Sequence, residues 1–202
     1  MLQSASESLT TRQYPIIGGA LKGLRIKMPN YTMVVFIVHG FGKSESEWPD
    51  LRTNIERGGR VSNWLDGQLF GGYSSRNYLR AVSNTRVMGV VIANLMGIMS
   101  DHHKIPADNF QVIGFSLGAQ TARLAGNAIS IEQIGAILAL DPAGTSFDQD
   151  HLTKEDASYV EVIHTSSEKI YGEDRFSMLK QMGHIDFYVN DGILQPQCTP
   201  LL

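Results

Sequence analysis

The sequence predicts a mostly parallel α/β sheet with helices on both faces, and three stretches carry that expectation. Residues 33–38 and 134–140 are continuous apolar runs rich in β-branched or aliphatic side chains, the pattern of strands buried on both faces. Between them, residues 110–113 run into Gly114-Phe115-Ser116-Leu117-Gly118 and then at once into a helix-favouring segment, 119–128. Apolar strands followed by turns and helices are the units from which doubly covered parallel sheets are assembled.

Length and composition fit one domain. A chain of 202 residues can bury one core, and 43% hydrophobic against 18% charged residues places it among globular proteins. The expected division is a weakly specified leader, 1–30, followed by the folded part, 31–202. A net charge of −3 gives no electrostatic case for a nucleic-acid partner. No apolar run reads as long enough to span a bilayer, so no transmembrane segment is expected. Residues 1–14 lack the basic-then-apolar layout of a secretory signal. Cys198 is the single cysteine, which rules out an internal disulfide and by itself favours a reducing compartment.

Taken in order, the leader contains a basic patch, Lys22, Arg25 and Lys27, and an acceptor pattern for glycosylation, Asn30-Tyr31-Thr32, that matters only in a secreted chain. The first buried strand ends in His39-Gly40-Phe41-Gly42. Residues 46–57 read as a short amphipathic helix closed by Gly58-Gly59. Residues 59–75 are too polar for the further apolar strand that a doubly wound sheet should have here, so the sheet is expected to lack one internal strand. Residues 77–99 read as a long helix, with Leu79, Val82, Ile92, Leu95 and Met99 on its apolar face and Arg80, Asn84 and Arg86 in solvent. Residues 101–108 read as a loop in which His102 and His103, without other ligands nearby, are exposed rather than metal-binding. Residues 159–164 form a further strand, 166–182 a charged loop, and 183–190 a short strand or turn.

The chemistry collects at strand ends. Gly-x-Ser-x-Gly between strand and helix holds a serine at the tip of a strained elbow, because side chains at Gly114 and Gly118 would collide with neighbouring elements. Ser116 is then the candidate nucleophile, with the amide of Leu117 opening the next helix beside it. The Phe41 amide, in the glycine-rich loop after the first strand, is the second candidate oxyanion donor; the competing reading of that loop is a tight turn with a buried histidine. Asp141 ends the strand after the elbow and fits the chain order serine, acid, histidine; its alternative is a turn or cap residue before Pro142.

Five ordered stretches then match one family: Phe36-Ile37-Val38-His39-Gly40-Phe41, Gly114-Phe115-Ser116-Leu117-Gly118-Ala119-Gln120, Leu140-Asp141-Pro142-Ala143-Gly144, Val162-Ile163-His164-Thr165 and Gly183-His184-Ile185-Asp186-Phe187-Tyr188. Over about residues 33–198 the chain resembles the pancreatic-lipase family of secreted α/β-hydrolases, with its insect and phospholipase A1 branches. The resemblance implies a serine carboxylic ester hydrolase acting on lipid esters at a lipid interface, extracellular, without a cofactor. It makes Ser116 the nucleophile, Asp141 the acid, and the amides of Phe41 and Leu117 the oxyanion hole. It also puts the catalytic histidine beyond Cys198, after a lid closed by a disulfide to that cysteine, so the chain is expected to be a truncated member and its activity to suffer. Of the histidines after Asp141, His164 and His184 are the better-placed substitutes and His151 the poorer. The calcium loop that the resemblance implies before the Val-Ile-His-Thr strand retains Asp156 but reads Thr153 at another acidic position, and no metal is expected. The alternative to an enzyme is a non-catalytic lipase-like protein that binds lipid or a partner.

Overall fold

The computed structural model describes residues 33–42, 77–129, 132–167, 177–193 and 195–196. The leader, the expected helix at 46–57, the polar stretch 59–75 and Cys198 lie outside the described residues. Within them, five strands form one sheet: β1 (Val34–Val38), β2 (Phe110–Phe115), β3 (Ala136–Leu140), β4 (Tyr159–His164) and β5 (Ile185–Tyr188). Their order in space is their order in sequence, and every neighbouring pair is parallel. Two helices longer than one turn are described, α1 (Tyr78–His103) and α2 (Leu117–Ala128).

Register fixes which side chains build the core. Val34, Phe36 and Val38 alternate on β1 with Val35 and Ile37, and the first set joins Phe110, Val112, Ile137, Ala139, Val160 and Val162 in the main core with both helices. Val35 and Ile113 are buried on the opposite face, against Met33, Ile37, Leu138 and Leu140. The two described helices therefore share one face of the sheet.

Helix α1 starts where Asn77 caps it, the side chain accepting the Arg80 N–H at 3.1 Å. Its buried stripe is Ala81, Thr85, Met88, Ile92, Leu95, Met96 and Met99, at helical spacing. Each large apolar side chain on that stripe contributes roughly 1.5–3 kcal/mol by leaving water. Two expectations are corrected here. Leu79 is 66% exposed, outside the stripe, because the core-facing line passes through Ala81. His102 and His103 are in the last helical turn rather than a loop, where basic groups complement the carboxyl-end carbonyls, and the helix stops at Lys104 with φ 56°. Helix α1 is long and apolar enough to cross a membrane by length and composition, although close to half of that stretch is buried against the fold.

Candidate active site

Strand β2 ends at Phe115, and Ser116 follows with φ 55° and ψ −116°, a conformation that costs a non-glycine residue strain. The backbone is held there from three sides. The Ser116 N–H donates to the Leu140 carbonyl at 3.0 Å, and the Ser116 carbonyl accepts from Ala119 at 3.1 Å and Ala143 at 3.2 Å. Both flanking glycines are sterically required: a β-carbon on Gly114 would meet the Gly118 carbonyl, and one on Gly118 would meet the Val38 carbonyl. The turn can be this sharp only because three backbone segments close on each other without side chains between them.

The loop after β1 reaches the same place. A β-carbon on Gly40 would lie 2.9 Å from the Ser116 Cβ, so the Gly40 backbone lies against the serine and Phe41 follows it in the chain. Phe41 is steadied by an edge-on contact with Tyr78, the ring centroids 5.3 Å apart. Tyr78 in turn donates to the Thr145 carbonyl at 3.2 Å, and burial pushes its phenol up to about 12. His39 is half-buried, with Nδ1 2.9 Å from the Gly40 carbonyl oxygen. Leu117 is the first residue of α2, and as the first helical residue its N–H has no acceptor within the helix.

Asp141 follows Leu140, the register partner of Phe115. It is 7% exposed, with φ 48°. Its Oδ1 accepts the N–H groups of Thr165 and Ser166 at 2.9 and 3.0 Å, and its Oδ2 accepts the Ser177 hydroxyl at 2.7 Å. Two oxygens offer about four acceptor positions, so three donors leave one for a further group. Ser177 had no signal in the sequence, since it arrives from 36 residues away through a bridge to Ala143. Gln120 was also missed: buried in α2, it donates to the Ala143 carbonyl at 2.6 Å and accepts the Leu152 N–H at 3.0 Å, pinning the loop that follows Asp141.

With serine, acid and glycine loop adjoining, the comparisons with known proteins become informative. The family model described as Lipase matches residues 26–202. The chain belongs to the lipase family. Phospholipase A1 of Vespula squamosa is 36% identical over 178 residues, covering 82% of this chain and 57% of that protein. Pancreatic lipase-related protein 2 of Homo sapiens is 36% identical over 173 residues, covering 81% of this chain and 35% of that protein. The chain thus matches between about a third and three-fifths of the length of these lipase relatives. Among solved structures, the mature lipase BlEst2 of Bacillus licheniformis aligns at 13% identity with a TM-score of 0.43, over 73% of this chain and 72% of that one.

The histidines that could have served as base in this lipase-family chain are elsewhere or engaged. His164 ends β4 and is fully buried; Nδ1 faces the Met178 carbonyl at 2.8 Å and Nε2 faces Asp186 Oδ1 at 2.7 Å. Tyr188 stacks on its ring at 4.4 Å. Both nitrogens meet acceptors, so neither is offered to Ser116. His184 is tied to the second residue of β4, its ring Nδ1 accepting the Val160 N–H at 3.0 Å and its backbone N–H donating to the Val160 carbonyl at 2.8 Å. That is the amino end of the sheet, and Ser116 is at the carboxyl end. His151, which lines a cleft with His184, is at the amino end as well.

The loop expected to resemble a calcium site has the wrong donors for one. Calcium takes six to eight oxygens. Between Asp141 and the Val-Ile-His-Thr strand the carboxylates are Asp148, Asp150 and Glu155, all exposed, and the buried Asp156, and among the described residues no three such ligands come together. Asp156 Oδ2 already accepts the Thr153 N–H at 2.6 Å and its hydroxyl at 3.2 Å, closing a capping box on the turn Lys154–Asp156. Burial raises the Asp156 pKa, while the Thr153 bonds and Arg123 pull it down. The residues present do not fit the ion.

Proposed function

We propose that this chain carries the nucleophile, acid and oxyanion donors of a serine carboxylic ester hydrolase acting on lipid esters of the triacylglycerol or phospholipid kind, in the extracellular space and without a cofactor. The observation that carries the reading is the convergence on Ser116: a strained strand-to-helix turn, Asp141 one position beyond the paired strand residue, and the Gly40 backbone against the serine Cβ. In the acylation step the Ser116 oxygen bonds to the ester carbonyl carbon as its proton passes to a base. The carbonyl oxygen becomes an oxyanion held by the Phe41 and Leu117 amides, and collapse breaks the ester C–O bond as the alcohol leaves with that proton. Losing one such donor typically costs about 10²–10³ in rate. Asp141, with an acceptor position left on its carboxylate, orients the histidine that the family pattern locates after Cys198. None of His151, His164 and His184 fills that role, and this favours a second reading, a lipase-like protein that binds lipid without turning it over.

A fluorophosphonate probe separates the two. Labelling of the folded chain that disappears in Ser116→Ala establishes an activated serine. A folded chain that stays unlabelled while the probe marks a control esterase favours binding without catalysis.

A further inference from the structure

At the amino ends of β4 and β5, remote from Ser116, a cleft of about 490 Å³ opens between the loop preceding β4 and the loop preceding β5. His151 and Lys154 line it from one loop, Lys180 and His184 from the other, and Glu155 is the lone carboxylate among the lining residues. The cation excess is matched by unmet hydrogen-bonding demand. His151 Nδ1 is buried without a partner, and so is Nη1 of Arg123 on α2, whose other terminal nitrogen pairs with Asp150. Arg123 is 11% exposed, so that nitrogen is held away from bulk water. Arg123 does not itself line the cleft, but the unpartnered ring nitrogen of His151 does, and once protonated beside Lys154 and Lys180 it is a donor that an anion completes.

We propose that this cleft binds a phosphate-bearing anion, gripped from its two rims by Lys154 and Lys180 with His151 as the inner donor. Phosphate suits it better than a carboxylate because its charge and oxygens can engage donors arriving from both loops at once, and lysine serves phosphate as a point charge. The electrostatics around His151 agree. Burial, then Lys180 and Arg123, hold its pKa below the ordinary 6.5, against a backbone hydrogen bond at Phe147 and the charge of Asp150, which raise it. Lys154, Glu155 and His184 complete the charged and titratable lining. An anion there offsets the lysine charge and favours the protonated ring, so binding takes up a proton and tightens as pH falls below 6.5. None of this depends on the reading of Ser116.

The test is a titration of the isotope-labelled full chain with inorganic phosphate, following histidine ring signals by NMR, against sodium chloride at equal ionic strength. The expected result is a saturable shift of the His151 signals toward the protonated pattern. Lys154→Ala with Lys180→Ala should weaken it by about five- to twenty-fold, allowing up to about fivefold for each exposed charge. Both lysines are exposed, so the double variant should keep the parent circular dichroism spectrum. His151 signals that move no further in phosphate than in chloride, or a double variant that titrates like the parent, would overturn the proposal. Vesicles then identify the source. Binding to phosphatidylglycerol but not phosphatidylcholine vesicles, lost in the double variant, supports a lipid headgroup; saturation by phosphate without vesicle binding supports a soluble phosphate compound.

Discussion

Ser116 and Asp141 leave neighbouring parallel strands at the same level, each one residue beyond the register pair Phe115–Leu140, and both turn at positive φ, 55° and 48°. The serine N–H is bonded to the carbonyl of the residue before the aspartate, so the two bends are one mechanical unit. A shift of either strand by one residue would separate them.

The Asp141 carboxylate has a structural role that its variants will reveal. Asp141→Ala strands the Thr165 and Ser166 amides and should lower unfolding free energy by about 2–4 kcal/mol. Asp141→Asn keeps an oxygen for those amides and turns its NH2 toward the Ser177 hydroxyl, which can accept, so about 1 kcal/mol is expected. Urea denaturation checks the ranking. Equal losses for the two variants would mean that the amides find other acceptors.

Strain at the elbow makes a prediction of the opposite sign. Glycine tolerates φ 55° and ψ −116° where serine does not, so Ser116→Gly should raise stability by about 1 kcal/mol, after allowance for the greater freedom of glycine in the unfolded chain. The same variant should lose any fluorophosphonate labelling. A variant less stable than the parent in a urea series would show that the serine side chain contributes more than its backbone costs.

Much of this unit was legible because it rests on local sterics. Gly114 and Gly118 have no alternative where carbonyl groups occupy the β-carbon positions, and residues 33–38 and 134–140 read as strands because central strands of a parallel sheet carry no polar interruptions. The position of Asp141 was legible too, since it follows the last residue of an apolar run. What escaped depends on contacts between segments far apart in the chain. Ser177 reaches Asp141 from a loop with no pattern of its own, and Gln120, within a quoted motif, declares its bonds to Ala143 and Leu152 only once the fold exists. Chain order left His164, His184 and His151 open, because order does not say which end of a strand a ring occupies or which acceptors its nitrogens meet. The end of α1 was misplaced for a simpler reason: its last turn is polar and solvated, so the apolar period fades before the helix does.

The His164–Asp186 pair should prove structural and linked to the acid. Asp186 accepts His164 Nε2 and the N–H groups of Met182 and Gly183, and His164 Nδ1 faces the carbonyl of Met178, the residue after Ser177. Asp186→Asn sets an amide N–H against one of these donors in a site where the parent side chain is 2% exposed, and should cost about 2–4 kcal/mol. Loosening residues 177–183 releases Ser177 from Asp141, so amide exchange should rise at Gly183 and also at Thr165 and Ser166. Exchange that rises at Gly183 alone would cut the inferred link between the pair and the acid.

Alkaline pH should report on Tyr78, the ring that steadies Phe41. Its phenol ionises near 10.0 when unfolded and is pushed up to about 12 by burial in the fold. Between those values the native state holds the proton more tightly than the unfolded chain does, so the native state loses stability as pH rises through the interval. The loss expected from this one group is roughly 1–2 kcal/mol, reduced from the full two-unit value because the ring is only partly buried. Tyr78→Phe removes the titrating group and the 3.2 Å bond to the Thr145 carbonyl. The variant should therefore be weaker than the parent by about 0.5–1 kcal/mol at neutral pH and fall less steeply between pH 10 and 12. Guanidinium melts at pH 7, 10 and 11.5 measure both effects, and parallel pH profiles for the two proteins would rule out Tyr78 as the source of the alkaline slope.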